Sequence, residues 1–145
     1  MELKEEKRDL FSVPQGYYLA HCISGDYALG AGIARYFVDI YNMRNKLHHQ
    51  HPIENGRRYD HVGEALLVDN VFNLVTKPRC FQKPTYGTLG DAMADMAKQM
   101  EEKEIDKLAI PMLGCGLDRL DWDEVLDIIS DIFENKDVEI LVCKI

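Results

Sequence analysis

The chain has 145 residues and a mass of 16.7 kDa, with 17 Lys and Arg against 25 Asp and Glu, a net charge of −8 and an isoelectric point near 5.0. With 46% hydrophobic residues it can fill a core, burying roughly 70% of its unfolded surface at this length, which excludes a disordered chain. No apolar run reaches the ~20 residues of a membrane span, residues 1–8 hold no apolar region for a secretory signal, and the acidic balance argues against non-specific binding to nucleic acid.

A cytoplasmic protein is expected, folded as one domain over residues 1–145, because no repeat, low-complexity stretch or Gly/Pro/Ser-rich linker divides it. Four cysteines, Cys22, Cys80, Cys115 and Cys143, form no Cys-x-x-Cys pair, so neither a zinc knuckle nor a thioredoxin-type redox pair is written here. Each lies in or beside an apolar stretch, which suits reduced, mostly buried thiols.

In chain order, residues 3–8 read as a strand whose unbroken charge from Lys4 onward suits a protected sheet edge. Residues 17–23 are nearly continuously apolar and predict a strand covered on both faces. A loop of small residues, 24–32, precedes Ile33, Phe37, Ile40 and Tyr41 at helical spacing. The polar stretch 42–60, broken by Pro52 and Gly56, reads as a helix end and a surface excursion. Residues 64–68 and 71–76 bracket Asp69-Asn70, a pair fit for a hairpin turn.

After a basic loop, 77–83, the spacing of Leu89, Ala92, Met93, Met96, Ala97 and Met100 predicts a long amphipathic helix. Residues 108–112 form a short buried strand that runs into a second small-residue loop, 113–118. Asp121 with Glu124 gives a capping-box-like start to a helix carrying Val125, Ile129 and Phe133, and Trp122 is expected to anchor that start in the core. Residues 138–143 are the last strand. Strands alternating with helices predict an α/β fold with three α/β/α layers around a mixed sheet.

Two buried strands thus each run into a small-residue loop and a helix, and ligands of open α/β sheets bind at the carboxyl ends of strands. Glycines at 30 and 32, and at 114 and 116, let backbone amides approach an anion such as a phosphate or pyrophosphate. The plain alternative is that these glycines only make tight turns. His48, His49 and His51 read as a solvated polar turn rather than metal ligands, and His21 as a hydrogen-bonded core histidine. Arg57, Arg58, Lys77, Arg79 and Lys83 give local positive charge that could steer a diphosphate or a nucleic acid.

The segments Ala20-His21-Cys22-Ile23-Ser24, Gly30-Ala31-Gly32-Ile33-Ala34, Leu74-Val75-Thr76-Lys77, Lys83-Pro84-Thr85-Tyr86 and Gly114-Cys115-Gly116-Leu117-Asp118-Arg119-Leu120, with Asp9-Leu10-Phe11 before them, resemble macrodomains. More narrowly, they resemble the terminal ADP-ribose protein glycohydrolase class. The likeness spans nearly the whole chain in motif order, with 42–60 matching least, and implies a macrodomain with a mostly parallel central sheet and an ADP-ribose cleft. By that resemblance Asp9 meets the adenine amino group and Leu10 lies beside the base, with Ile145 near the adenosine end. Ser24, Gly30, Ala31, Gly32 and Ile33 would wall the pyrophosphate and distal ribose. Met112, Leu113, Gly114, Cys115, Gly116 and Leu117 would form the second phosphate loop. Lys77 matches the family's nucleophilic lysine and Asp118 its acid/base partner.

The residues themselves allow that chemistry. Lys77 ends an apolar strand and precedes Pro78, which holds it extended, and a neutral amine there could attack a sugar carbon while Asp118 moves protons. Without the resemblance, a lysine at a strand end is ordinarily a solvated charge and Asp118 ordinarily a loop ion pair with Arg119. The resemblance implies a monomeric hydrolase of mono-ADP-ribose on acidic side chains of proteins, with no metal and no cofactor, ADP-ribose being ligand and product. Two alternatives stand: an ADP-ribose-binding module without chemistry, and an antitoxin-like hydrolase of ADP-ribosylated DNA, in whose relatives the position of Asp118 is not acidic.

Overall fold

The computed structural model describes residues 1–54 and 61–145. Six strands, β1 (Glu2–Lys7), β2 (Tyr18–Ser24), β3 (Ala65–Val68), β4 (Val71–Lys77), β5 (Lys107–Ile110) and β6 (Glu139–Lys144), form one sheet in the order β1-β6-β5-β2-β4-β3. Every neighbouring pair is parallel except β3–β4, the hairpin closed by Asp69, whose φ is 54°, and Asn70. The charged strand β1 is an edge, as its composition predicts.

Alternation along the central strands gives the sheet two apolar faces. Leu19, Ile23, Val71, Val75 and Leu141 point to one side, under α1 (Ala34–Tyr41) and α2 (Met43–Gln50), where Phe37, Met43 and Leu47 are fully buried. Phe72, Leu74, Ile140 and Val142 point to the other, under α3 (Tyr86–Glu102) and α4 (Trp122–Phe133), meeting the methionines of α3 and Val125, Ile129 and Phe133. This is the three-layer fold with a mixed, mostly parallel sheet.

Several local expectations are corrected. The stretch 42–60 contains a whole helix, α2, entered through Asn42 at φ 56°. Only Met43 and Leu47, one turn apart, mark its inner face, too sparse a stripe for periodicity to register. Arg57 and Arg58 lie outside the described residues. Asp121 caps α4 by accepting from the Asp123 amide at 3.1 Å, without a reciprocal bond from Glu124. The reciprocal box is at α3 instead, between Thr85 and Thr88. Trp122 is half-buried and packs against the core beneath α3 and α4, as expected, with its Nε1 also donating to Glu5 Oε1 at 2.9 Å across to the edge strand.

One irregularity bears on the site. Ile23 faces Val75, but the next residue, Ser24, faces Lys77, so Thr76 is an extra residue on β4.

Candidate active site

The carboxyl ends of β2, β4 and β5 open into a cleft of about 810 Å³, within the usual range for small-molecule sites. Another hollow, about 570 Å³ and rimmed by Glu2, Asp106, Asp137 and Glu139, lies at the opposite ends of β1, β5 and β6, where the fold gathers none of the glycine loops.

The first wall is the loop after β2. Tyr27 and Leu29 hold φ of 54° and 44°, a region costly for side chains with a Cβ, yet both are buried. Three attachments fix them. The Tyr27 hydroxyl donates to His51 O at 2.8 Å, and Arg44 of α2 donates to Ala28 O through Nε at 3.0 Å and Nη2 at 2.5 Å, with Leu29 O at 3.3 Å. The Asp26 carboxylate accepts from Ser24 Oγ at 2.5 Å and the Ala28 amide at 3.2 Å. Among the described residues no side chain caps α1, and its first turn is closed by backbone, the Arg35 amide donating to Gly32 O at 3.3 Å and the Tyr36 amide to Ile33 O at 3.1 Å.

The second wall, after β5, is held by its backbone. Gly114 has φ 72°, and a Cβ there would lie 2.7 Å from Leu120 Cδ1; Leu120 N donates to Gly114 O at 2.7 Å. Gly114, and Gly32 with its φ of 62°, therefore have conformational reasons to be glycine. Gly30 and Gly116 have none. Neither has a positive φ, a Cβ at Gly116 meets nothing within 4 Å among the described residues, and one at Gly30 meets only Ala28 O at 3.9 Å. Both line the cleft, so what the missing side chain leaves there is room.

Lys77 Nζ donates to Asp118 Oδ1 at 2.7 Å, and the two side chains are only 14% and 18% exposed. Asp118 is thus paired across the cleft with Lys77, in place of the loop pair with Arg119 that its neighbour suggests. The extra residue Thr76 contributes to this, since paired residues of parallel strands share a face and Lys77 is paired with Ser24. Cys22 lies close by; burial first, then the Asp118 charge, pushes its thiol up to about 12. Burial likewise raises Cys115 and Cys143, so these thiols are protonated at neutral pH.

The structure therefore gathers Ser24, Gly30, Ala31, Gly32, Ile33, Lys77, the 112–118 loop and Ile145 around one cleft. Asp9 and Leu10 are not among its lining residues: Asp9 accepts from the Phe11 amide at 3.0 Å, capping a turn at Leu10–Ser12, and Leu10 is 4% exposed in the core. All four cysteines line it, Cys143 buried, Cys22 and Cys115 half-buried and Cys80 exposed, so the expectation of mostly buried thiols is corrected. Phe81 and Lys83 of the basic loop are further lining residues. Phe81 is 75% exposed and is not singled out from the sequence, where a large aromatic in a polar basic segment is the signal that would have found it. His21 is a core histidine, fully buried, 2.6 Å from Asn73 Oδ1 and stacked on Phe37. Among the described residues no group of three or more His, Cys, Asp or Glu could hold a metal ion, and no helix is long and apolar enough to cross a membrane.

No protein-family model matches the chain. Among solved structures, the macrodomain of Thermus aquaticus DarG is similar, with a TM-score of 0.78 and 21% identity over 97% of each chain. Thermosipho africanus DarTG, solved in complex with ADP-ribose, matches 99% of this chain and 42% of that one, with a TM-score of 0.74 and 16% identity. These likenesses define the class: the fold is that of a macrodomain. A curated relative goes further, since the ADP-ribose glycohydrolase OARD1 of Bos taurus is 35% identical over 143 residues, 94% of this chain and 87% of that protein. The chain belongs to the OARD1 family of macrodomain ADP-ribose glycohydrolases.

Proposed function

We propose that this macrodomain binds ADP-ribose in the cleft and removes mono-ADP-ribose from acidic side chains of proteins through a covalent lysine intermediate. The observation that carries the reading is the Lys77–Asp118 pair, 2.7 Å apart at the end of a cleft whose two walls keep glycines that the fold does not need. The OARD1 relationship supports hydrolysis of an ADP-ribosyl bond. The match to an ADP-ribose complex supports the ligand.

The existing hydrogen bond is a proton path. Lys77 gives a proton to Asp118, and the freed amine bonds to the anomeric carbon of the distal ribose as the bond from that carbon to the ring oxygen breaks, the oxygen taking the proton from Asp118. Asp118 then takes a proton from the attached nitrogen, whose lone pair closes a C=N Schiff base as the bond to the target carboxylate breaks and the carboxylate leaves with its electron pair. Water then adds at the same carbon, Asp118 returns the proton to the departing amine, and ADP-ribose is released. The diphosphate lies between the amides of the two loops and the start of α1, with Asp9, Leu10 and Ile145 toward the adenosine end. The reading takes a cytoplasmic monomer without metal or cofactor.

An ADP-ribosylated nucleic acid is the second reading, favoured by exposed Phe81 beside Lys83 at the cleft. The test offers Glu-linked, Ser-linked and DNA-linked ADP-ribose side by side and measures released ADP-ribose. Fastest release from the Glu-linked protein is expected. Release from DNA alone reverses the substrate class, and binding without release from any reduces the protein to a binding module.

A further inference from the structure

Asp26 is absent from the motif that carries the catalytic pair, yet it joins the two chain segments on which that pair depends. Its Oδ1 stays within the first wall, accepting from Ser24 Oγ and the Ala28 amide. Its Oδ2 reaches 54 residues along the chain to the amide of Cys80, at 3.0 Å. Three residues before Cys80, the carbonyl of Lys77 accepts from the amide of Gly25 at 2.8 Å. The segment 77–80 is therefore pinned at both ends to the segment 24–28, once by backbone and once by the Asp26 carboxylate.

The geometry points to Asp26 as a positioning residue for Lys77, holding the chain just after the lysine so that its amine stays on the cleft side, within reach of Asp118. The inference rests on the reading of Lys77 as the nucleophile. Burial alone would raise the Asp26 carboxyl, but the hydrogen bonds from Ser24, Cys80 and Ala28 outweigh it and hold the group below its ordinary value. It is thus ionised, and accepting at both oxygens, throughout the physiological range. Without the Cys80 bond the turn through Pro78 and Arg79 keeps only its first anchor. A reacting group displaced by about 1 Å costs on the order of 100-fold in rate even when the ligand still binds.

The substitution that isolates this bond is Asp26→Asn. Its amide oxygen can still accept from Ser24 and Ala28, while its NH₂ faces the Cys80 N–H and cannot accept. Turnover of the linked substrate that the wild type hydrolyses fastest is measured beside the affinity for free ADP-ribose, the melting temperature and hydrogen exchange at the Cys80 amide. The expected result is a turnover about 10- to 100-fold lower, an ADP-ribose Kd within about three-fold of wild type, and faster exchange at Cys80. Asp26→Ala should lose at least as much turnover. Wild-type turnover in Asp26→Asn, or turnover and affinity falling by the same factor as the melting temperature drops, overturns the positioning role. Lys77→Ala is run alongside: if it is inactive while Asp26→Asn is active, only this inference fails, and if Lys77→Ala itself turns over, the nucleophile reading fails with it.

Discussion

The loop after β2 reaches positive φ with buried bulky residues, Tyr27 and Leu29, whereas the loop after β5 does so at Gly114 and at exposed Arg119. The first needs outside help: Arg44 from α2, the carbonyl of His51, and Asp26. The second takes its shape from its own amides, Cys115 to Met112 O at 3.1 Å, Arg119 to Gly116 O at 3.2 Å and Leu120 to Gly114 O, with Lys77 of the cleft bonded to its Asp118. Two walls of one cleft are thus rigid for different reasons, one through distant side chains and one through local backbone. Damage to the first can start far from the cleft, while damage to the second must start inside it.

The largest effect should come where the walls meet. Lys77→Ala and Lys77→Arg should each lose on the order of 10³-fold or more in turnover while free ADP-ribose still binds, because arginine keeps the charge without the nucleophilic amine. Asp118→Ala should also fall sharply. If attack by Lys77 survives in it, intact mass should show a protein–ADP-ribose adduct that is missing from the Lys77→Ala, Asp118→Ala double variant. Wild-type rates in either Lys77 variant would sink the covalent route.

Two glycines of the second wall should separate room from conformation. Gly114→Ala forces a Cβ into Leu120 at an unfavourable φ and should cost about 2–4 kcal/mol, read as a lower melting temperature. Gly116→Glu should leave that temperature near wild type but abolish its rise with ADP-ribose, which for a ligand at 100 times its Kd amounts to about 2.7 kcal/mol. An intact ligand-induced rise in Gly116→Glu places the diphosphate elsewhere.

The first wall should also carry a pH dependence through His21, which lies on β2 and stacks on Phe37 of α1, the two elements the loop joins. Burial lowers His21 from an ordinary 6.5 to about 4, against the opposing Asn73 hydrogen bond. Between those values the unfolded chain holds a proton that the folded chain does not. Stability from this group is therefore full above about pH 6.5 and lost as pH falls toward 4, by roughly 3 kcal/mol in all. Denaturant midpoints measured from pH 7 to 4.5 should fall in the wild type and flatten in His21→Leu, whatever that variant's absolute stability.

The smallest effect should be Arg44→Ala, costing about 1–2 kcal/mol for its bonds to the Ala28 and Leu29 carbonyls. Its interest is the location. ADP-ribose affinity should weaken although Arg44 belongs to α2, outside the lining of the cleft, and calorimetric titration of the variant checks it.

The sheet and the cleft were legible because they rest on local rules: continuous apolar strands, glycines at their ends, and helical spacing in α3 and α4. Less legible features depend on partners distant in sequence. The stripe of α2 is two residues wide, and Met43 and Leu47 are recognisable only once the sheet is there to cover. The α3 cap uses Thr88 where the usual pattern has Glu or Gln. Asp26 looks like any loop acid until Cys80, far along the chain, is folded against it. The cysteines looked buried because their neighbours are apolar, which cannot show that those strands end in a cleft.

The extra residue in β4 has a consequence for recognising this chemistry elsewhere. Counted by strict alternation from Val71 and Val75, position 77 belongs to the layer beneath α1 and α2, beside Asn73 and away from Asp118. The slip at Thr76 moves it to the side of Ser24. Whether a lysine at this place can serve the cleft is therefore decided by the register of β4 against β2, and a relative with the same residue count but no slip before its lysine would present the amine to the wrong layer. A search for functional relatives should establish which residue of the neighbouring strand the lysine is paired with before it trusts the lysine itself.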